Sequence, residues 1–241
     1  MMKELRLFFK RTALPANVLA VKLQGYLMGQ ISDDYAEFLH QQETNPYASF
    51  VIDRGDQQVW TVSLLTEQAC EQLQEGLLSL QHIRLDSYAE LISIQKIEWR
   101  TLSVDQLMAI FNADGHIDRF SIRFLTPTTF KSSGDYLIFP TTRLIFQSLM
   151  QKYSRLYPDV SNFDPDLLDY LTEHSRITRY RLQTHYFSVH KNKIPAFRGS
   201  LTIKVTGAST LRAFAQMLFA FGEFSGVGAK TSMGMGGIEI E

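Results

Sequence analysis

The chain has 241 residues, a net charge of −1 and 45% hydrophobic residues, a composition that excludes a disordered or collagen-like protein. No apolar run approaches the length of a membrane span, and the N-terminus lacks the apolar core of a signal peptide. The single cysteine, Cys70, excludes an internal disulfide. We therefore expect a cytoplasmic protein with one large or two small domains.

The first hundred residues predict the element order β-α-β-β-α-β. Leu5, Leu7 and Phe9 alternate as on a half-buried strand, and Ser32 is placed to cap a second helix. The predicted elements are a strand at 3–10, helices within 18–42, strands at 47–53 and 57–64, a helix at 66–80, and one or two strands at 83–100. This order is that of a ferredoxin-like unit.

The second half repeats the pattern after a stretch of weak periodicity at 101–118, which we interpret as a junction. The predicted elements are strands at 119–130 and 136–139, helices at 142–157 and 165–174, paired strands at 176–189 and 195–205, a helix at 211–221 and a last strand at 238–241. The sequence therefore predicts an α+β protein of two tandem ferredoxin-like domains, at 1–105 and 118–241.

Positive charge concentrates at the C-terminal end of the chain. Residues 176–241 carry nine Lys or Arg against three Asp or Glu. Such a local excess of positive charge favours binding of a polyanion such as nucleic acid. Aromatic residues interleave with the cations, as expected where unpaired RNA bases stack. A solvated face with its counter-charges nearby is the alternative. The predicted RNA-binding cations are Arg179, Arg181, Lys191 and Lys193.

Six of the 14 glycines fall between Gly222 and Gly237, around one cation, Lys230. A P-loop is excluded because Ala229 separates Lys230 from the preceding glycine and a helix precedes the loop. A dinucleotide fingerprint is excluded because its third glycine is missing. A flexible tail is the remaining alternative, but the closing Ile-Glu-Ile-Glu alternates like a strand.

This segment resembles the C-terminal motif of the CRISPR-associated endoribonucleases that process repeat RNA, which belong to the repeat-associated mysterious protein (RAMP) superfamily. The motif G-x-G-x-K-T-S-x-G-x-G falls on Gly226, Gly228, Lys230, Thr231, Ser232, Gly234 and Gly236. The resemblance implies tandem ferredoxin-like domains, RNA contact at these residues, and no metal or other cofactor. It is greatest to members that serve type III systems.

A proton-transfer group is predicted at His40, at the end of a helix, where the dipole favours a charged imidazole. A surface histidine that only stabilises its own helix is the alternative. The resemblance implies that His40 acts in RNA cleavage and that Tyr26, fourteen positions earlier, acts with it. Tyr26 could equally be a core aromatic on an apolar helix face.

The chemistry implied by the resemblance is attack of a ribose 2′-hydroxyl on the adjacent phosphate, which needs a base, an acid and a cation. In some members of the family a lysine follows the histidine, but this chain has Asn45 at that point. We expect Lys22, Arg54 or Lys230 to supply the charge instead.

Three functions compete on these residues. The leading one is a metal-independent endoribonuclease that cuts CRISPR precursor RNA within each repeat. The others are a RAMP-type RNA-binding subunit without activity and a nucleotide-binding enzyme that uses the glycine-rich loop. Repeat RNA is the expected partner, and contact with a type III effector complex and a homodimer are further expectations from the resemblance.

Overall fold

A computed structural model describes residues 1–85, 90–189 and 192–241. The first half contains β1 (Met2–Lys10), α1 (Ala16–Met28), α2 (Asp33–Gln41), β2 (Tyr47–Arg54), β3 (Gln57–Leu64), α3 (Glu67–Leu78), β4 (His82–Leu85) and β5 (Glu90–Leu102). The second contains α4 (Val104–Asn112), β6 (Arg119–Thr128), β7 (Phe130–Ser132), β8 (Asp135–Leu137), α5 (Thr142–Leu156), α6 (Pro165–Glu173), β9 (Ser175–Val189), β10 (Asn192–Val205), α7 (Ser209–Ser225) and β11 (Ile238–Ile240). None of the helices in these ranges is long and apolar enough to cross a membrane.

The N-terminal sheet has the strand order β2-β3-β1-β5-β4, with the pairs antiparallel. Leu5 lies opposite Val62 on one side and Trp99 on the other. Alternation along β1 sends Leu5, Leu7 and Phe9 to one face, where they pack with α1, α2 and α3. Strands β2, β3, β1 and β5 have the strand order of a ferredoxin-like sheet, in which β5 takes the place of the last strand of the unit. Strand β4 extends the sheet beyond β5.

The C-terminal sheet has the strand order β11-β6-β10-β9, again antiparallel. This is the ferredoxin-like order, with β9 at the edge. The core under it contains Phe120, Phe146 and Phe219, whose rings pack together. The predicted α+β class with two ferredoxin-like units is therefore confirmed.

The interval 101–118, where the sequence shows only weak periodicity, holds a helix, α4, that was not predicted. Ser103 and Gln106 form a capping box, in which each side chain binds the other's backbone N–H. The apolar face of α4 packs against α7 of the second half. Because α4 belongs to that packing, we propose that the boundary lies near Ser103, and the predicted limits of 105 and 118 stay untested.

A buried carboxylate ties β1 to β5 and α7. The Glu4 side chain is 1% exposed, and its Oε1 accepts from Nε of both Arg6 and Arg100 at 2.8 Å. Arg100 also pairs with Glu223 of α7 at 3.5 Å and stacks on the ring of Phe224. This network links the N-terminal sheet to the helix that leads into the glycine-rich loop.

We expect Glu4→Gln to lower the free energy of unfolding by about 1–3 kcal/mol, because it removes the nearer counter-charge of Arg100 and leaves only Glu223 at 3.5 Å. The loss is limited because both arginines remain partly in water. Urea unfolding measures it. Glu98→Gln is the control, since that carboxylate is 44% exposed and its loss should change little. Equal effects of the two substitutions would contradict the role of the network.

Candidate active site

The glycine-rich loop, residues 226–237, is a compact part of the fold. Lys230 has a left-handed backbone, with φ 58° and ψ 36°, and a single 3₁₀ turn follows at Thr231–Met233. Val227 N–H donates to Gly236 O at 2.8 Å, which closes the loop on itself. The prediction that the segment is anchored at both ends is thus confirmed, and the flexible-tail alternative is wrong.

The loop glycines allow protein backbone to approach protein backbone. A Cβ on Gly228 would lie 2.3 Å from Thr129 O, and one on Gly236 would lie 2.2 Å from Val227 O. A Cβ on Gly234 would meet Ala20 at 2.6 Å, and one on Gly226 would meet Gly236 O at 2.9 Å. Gly226, Gly234 and Gly236 are buried. Packing is the role seen at these positions, and RNA contact by the four glycines stays a prediction.

We expect Gly236→Ala to destabilise the loop, because its Cβ would overlap Val227 O and its φ of 73° disfavours a side chain. A decrease of about 2–3 kcal/mol in the free energy of unfolding is the expected result. Gly76→Ala is the matched control. That glycine lies within a helix and a Cβ there meets nothing within 4 Å, so stability should rise slightly. A neutral Gly236→Ala would contradict the packing role.

A buried lysine from α5 holds the start of the loop. Lys152 Nζ donates to Ser225 O at 3.3 Å, to Gly226 O at 3.1 Å and to Thr231 Oγ1 at 3.1 Å. Its side chain is buried, with 9% of its surface exposed, and this burial lowers the pKa of Lys152 to about 7. Three oxygen acceptors favour the ammonium form and oppose that shift. Lys152 therefore fixes where the exposed part of the loop projects.

Beside the loop lies an open cleft of about 400 Å³, a size within the usual range for ligand pockets. Its walls come from the turn after α2, the β7–β8 hairpin, α5 and the loop. Lys131, Arg155 and Lys230 supply cations, and Glu43 is the carboxylate among the lining residues. Glu43 is engaged by Arg155 at 2.7 Å, so the electrostatic character of the cleft is basic.

The two halves of the chain meet at this cleft. Asn45 Nδ2 donates to Ser232 Oγ at 3.1 Å, and Arg155 Nη1 donates to Thr44 Oγ1 at 3.3 Å. The structure therefore brings the segment after His40 against Lys230 and Ser232 of the loop.

His40 is exposed in the last turn of α2, five residues before Asn45. Within 1–85, 90–189 and 192–241 it forms no hydrogen bond or ion pair, so its imidazole is available to a ligand. Tyr26 lies in the C-terminal part of α1, half-buried against the N-terminal core. Burial raises the pKa of Tyr26, and the protonated phenol is a hydrogen-bond donor.

Comparison with known proteins identifies the family. The profile described as "CRISPR-associated endoribonuclease Cas6" matches residues 122–238. A protein of that name from Streptococcus thermophilus is 52% identical over 240 residues, covering 100% of this chain and 98% of the Streptococcus protein. The chain belongs to the Cas6 family of CRISPR-associated endoribonucleases. It is therefore an endoribonuclease.

More distant Cas6 proteins extend the similarity. One from Mycobacterium tuberculosis is 36% identical over 224 residues, covering 91% of this chain and 70% of that protein. A solved structure described as a Cas6 product complex superposes with a TM-score of 0.81 at 22% identity, and each chain is covered completely. The tandem arrangement of the two sheets is thus the Cas6 fold.

Three of the four predicted RNA-binding cations outside the loop lie on β9 and β10. Arg179 and Arg181 are exposed on edge strand β9, and Lys193 is exposed near the start of β10. Lys191 lies outside the described residues. Phe187 of β9 packs against Val21 of α1 and Met233 of the loop, whereas Arg179 and Arg181 do not line the cleft.

The three predicted sources of charge lie in different parts of the structure, and Lys22 lies on α1. Arg54 ends β2, whereas Asn45 precedes it, so the two are separated by about 25 Å of extended strand. Arg54 lines a different cleft, between the two sheets, with Arg6 and Arg198. Lys230 lines the cleft beside Asn45, and Arg155 does so without having been predicted.

The described residues contain no group of three or more His, Cys, Asp or Glu placed to hold a metal ion. Apart from Glu43, which Arg155 engages, the polar side chains that line the cleft are amides, hydroxyls and cations, which suit a phosphate or a base edge.

Proposed function

We propose that this Cas6 endoribonuclease cleaves CRISPR repeat RNA within each repeat without a metal ion. In the proposed reaction the ribose 2′-oxygen attacks the adjacent phosphorus, and the bond to the 5′-oxygen of the next nucleotide breaks. The products carry a 2′,3′-cyclic phosphate and a 5′-hydroxyl. The full-length similarity to the Streptococcus thermophilus protein supports the substrate class.

The contact between Asn45 and Ser232 carries the proposal for the site. It joins the segment after His40, from one half, to Ser232, two positions after Lys230, in the loop of the other half, so we expect one phosphodiester to reach both His40 and Lys230. His40 would move a proton to or from a ribose oxygen. Tyr26 would donate a hydrogen bond, and Lys230 would stabilise negative charge on the phosphate.

Binding of the rest of the RNA is assigned to the loop and the hairpin. Thr231 and Ser232 offer hydroxyls at the cleft, and Arg179, Arg181 and Lys193 offer exposed cations. Lys191 is proposed as a further cation from the sequence alone. A type III effector complex, a homodimer and a cytoplasmic location also stay proposals from the family resemblance.

Product analysis tests the function. Purified protein is incubated in EDTA with repeat RNA labelled at either end, and the fragments are resolved on a gel. We expect one cleavage position and a 5′ fragment whose terminus resists phosphatase until acid opens the cyclic phosphate. A requirement for Mg²⁺ would overturn the mechanism. A gel shift with uncut RNA would indicate the binding-only alternative.

A further inference from the structure

The cleft is larger than one phosphate contact requires. Beyond the loop, its wall is formed by the polar face of α5 and by the β7–β8 hairpin. Gln147 and Gln151, one helical turn apart, line this wall, and Lys131 of β7 lines the same cleft. None of these three residues belongs to the motif that carries the family resemblance.

Two of the lining cations have no internal counter-charge. Arg155 is engaged by Glu43, but neither Lys131 nor Lys230 forms an ion pair or a side-chain hydrogen bond within the described part of the chain. Lys152 lies behind the loop as a nearly buried cation. The cleft therefore presents uncompensated positive charge suited to the phosphates of a polyanion.

The wall also offers groups that can read a base. The side-chain amides of Gln147 and Gln151 form no hydrogen bond with described residues, whereas Ser148 Oγ accepts from Gly228 N at 2.8 Å. A free amide both donates and accepts, which matches the edge of an unpaired base. The volume of about 400 Å³ suits a single nucleotide rather than a duplex.

We propose that this cleft is a subsite for one unpaired nucleotide of the RNA, next to the scissile phosphate. The phosphate of that nucleotide lies between Lys131 and Lys230, and its base lies against Gln147 and Gln151. The inference rests on the proposed function, because it takes the bound polymer to be repeat RNA. It adds a nucleotide position read by α5 and β7.

The test is a thermodynamic cycle that combines substitutions in the cleft with shortening of the RNA and measures the binding affinity of each combination. Anisotropy titrations use repeat RNA made uncleavable by a 2′-deoxy nucleotide at the scissile position, in three forms: full length, and shortened on either side of that position. Lys131→Gln and Gln147→Ala are compared with wild type. Lys10→Gln, at an exposed strand end outside the cleft, is the matched control.

We expect each cleft variant to bind full-length RNA about 5–30-fold more weakly, as for the loss of one good polar contact. The same variants should bind one of the two shortened RNAs as wild type does. Lys131→Gln should also lower the slope of log K against log salt by about 0.7. Lys10→Gln should change neither the affinity for full-length RNA nor the salt slope.

Equal losses on all three RNAs would overturn the subsite, because they indicate general charge attraction only. Unchanged affinity of both cleft variants for full-length RNA would overturn it as well. These outcomes are independent of the cleavage assay. If wild type cuts repeat RNA in EDTA but the cycle shows no coupling, only the subsite fails; if wild type does not cut, the proposed function fails.

Discussion

His40→Ala is expected to lower the single-turnover rate of repeat RNA cleavage by about 10²–10⁴-fold, the usual contribution of general acid–base catalysis. Affinity for uncleavable repeat RNA should stay within about threefold of wild type, since the phosphate contacts assigned to the loop and hairpin remain. His40 is exposed, and its side chain forms no hydrogen bond or ion pair within the described ranges, so the substitution should leave the fold unaffected.

His82→Ala is the matched control, because His82 is also an exposed histidine but lies on β4, at the outer edge of the N-terminal sheet. Its cleavage rate should equal that of wild type. If His40→Ala cut RNA at the wild-type rate, the assignment of His40 would be wrong. If it lost RNA affinity in the same proportion as rate, His40 would be a binding group only.

Lys152→Met is expected to weaken both the fold and the reaction. Methionine fills a similar volume but removes the donor for Ser225 O, Gly226 O and Thr231 Oγ1. Buried acceptors left without a donor cost about 1–3 kcal/mol in the free energy of unfolding. Cleavage should fall by about 10–100-fold, because small displacements of a binding group are costly to catalysis.

Lys10→Met, at the exposed end of β1, controls for the loss of one positive charge and should change neither stability nor rate measurably. Urea unfolding and single-turnover cleavage are measured on the same preparations, below the unfolding transition of Lys152→Met. If the Lys152→Met protein folded stably and cleaved RNA at the wild-type rate, the loop would need no buried ammonium.

The buried amine also predicts a pH dependence of stability. Burial lowers the pKa of Lys152 to about 7, whereas an unfolded lysine titrates near 10.4. Between these values the unfolded chain binds a proton that the folded protein has released, so this group makes folding more favourable as pH rises. The stability of wild type relative to Lys152→Met should increase by up to about 1.4 kcal/mol per pH unit above pH 7. If the free energies of unfolding of wild type and Lys152→Met changed with pH in parallel, the Lys152 ammonium would stay charged in the folded state.

The sequence predicted most of the fold because each long element has a clear periodicity. The hairpin at Gly55 and the helix capped by Ser32 follow from local chemistry. Helix α4 was missed because it is only nine residues long and its apolar face is covered by α7, far along the chain. The capping box of Ser103 and Gln106 was a local signal that could have identified it.

The site was predicted less completely, since its contacts join distant parts of the chain. Asn45 and Ser232 are 187 positions apart, and no local pattern indicates that they meet. Lys152 did leave a trace in the sequence, because it lies on the inward face of α5 between Leu149 and Tyr153. A lysine at such a position indicates a buried cation, but only the fold shows that its acceptors belong to the glycine-rich loop.

The central claim is that one phosphodiester meets His40 from one half of the chain and Lys230 from the other. Photocrosslinking tests it most directly, with uncleavable repeat RNA that carries a 4-thiouridine next to the scissile position. Mass spectrometry of the digested complex should find crosslinked peptides from both 33–45 and 226–237. Crosslinks confined to the β9–β10 hairpin, with neither segment labelled, would contradict the claim.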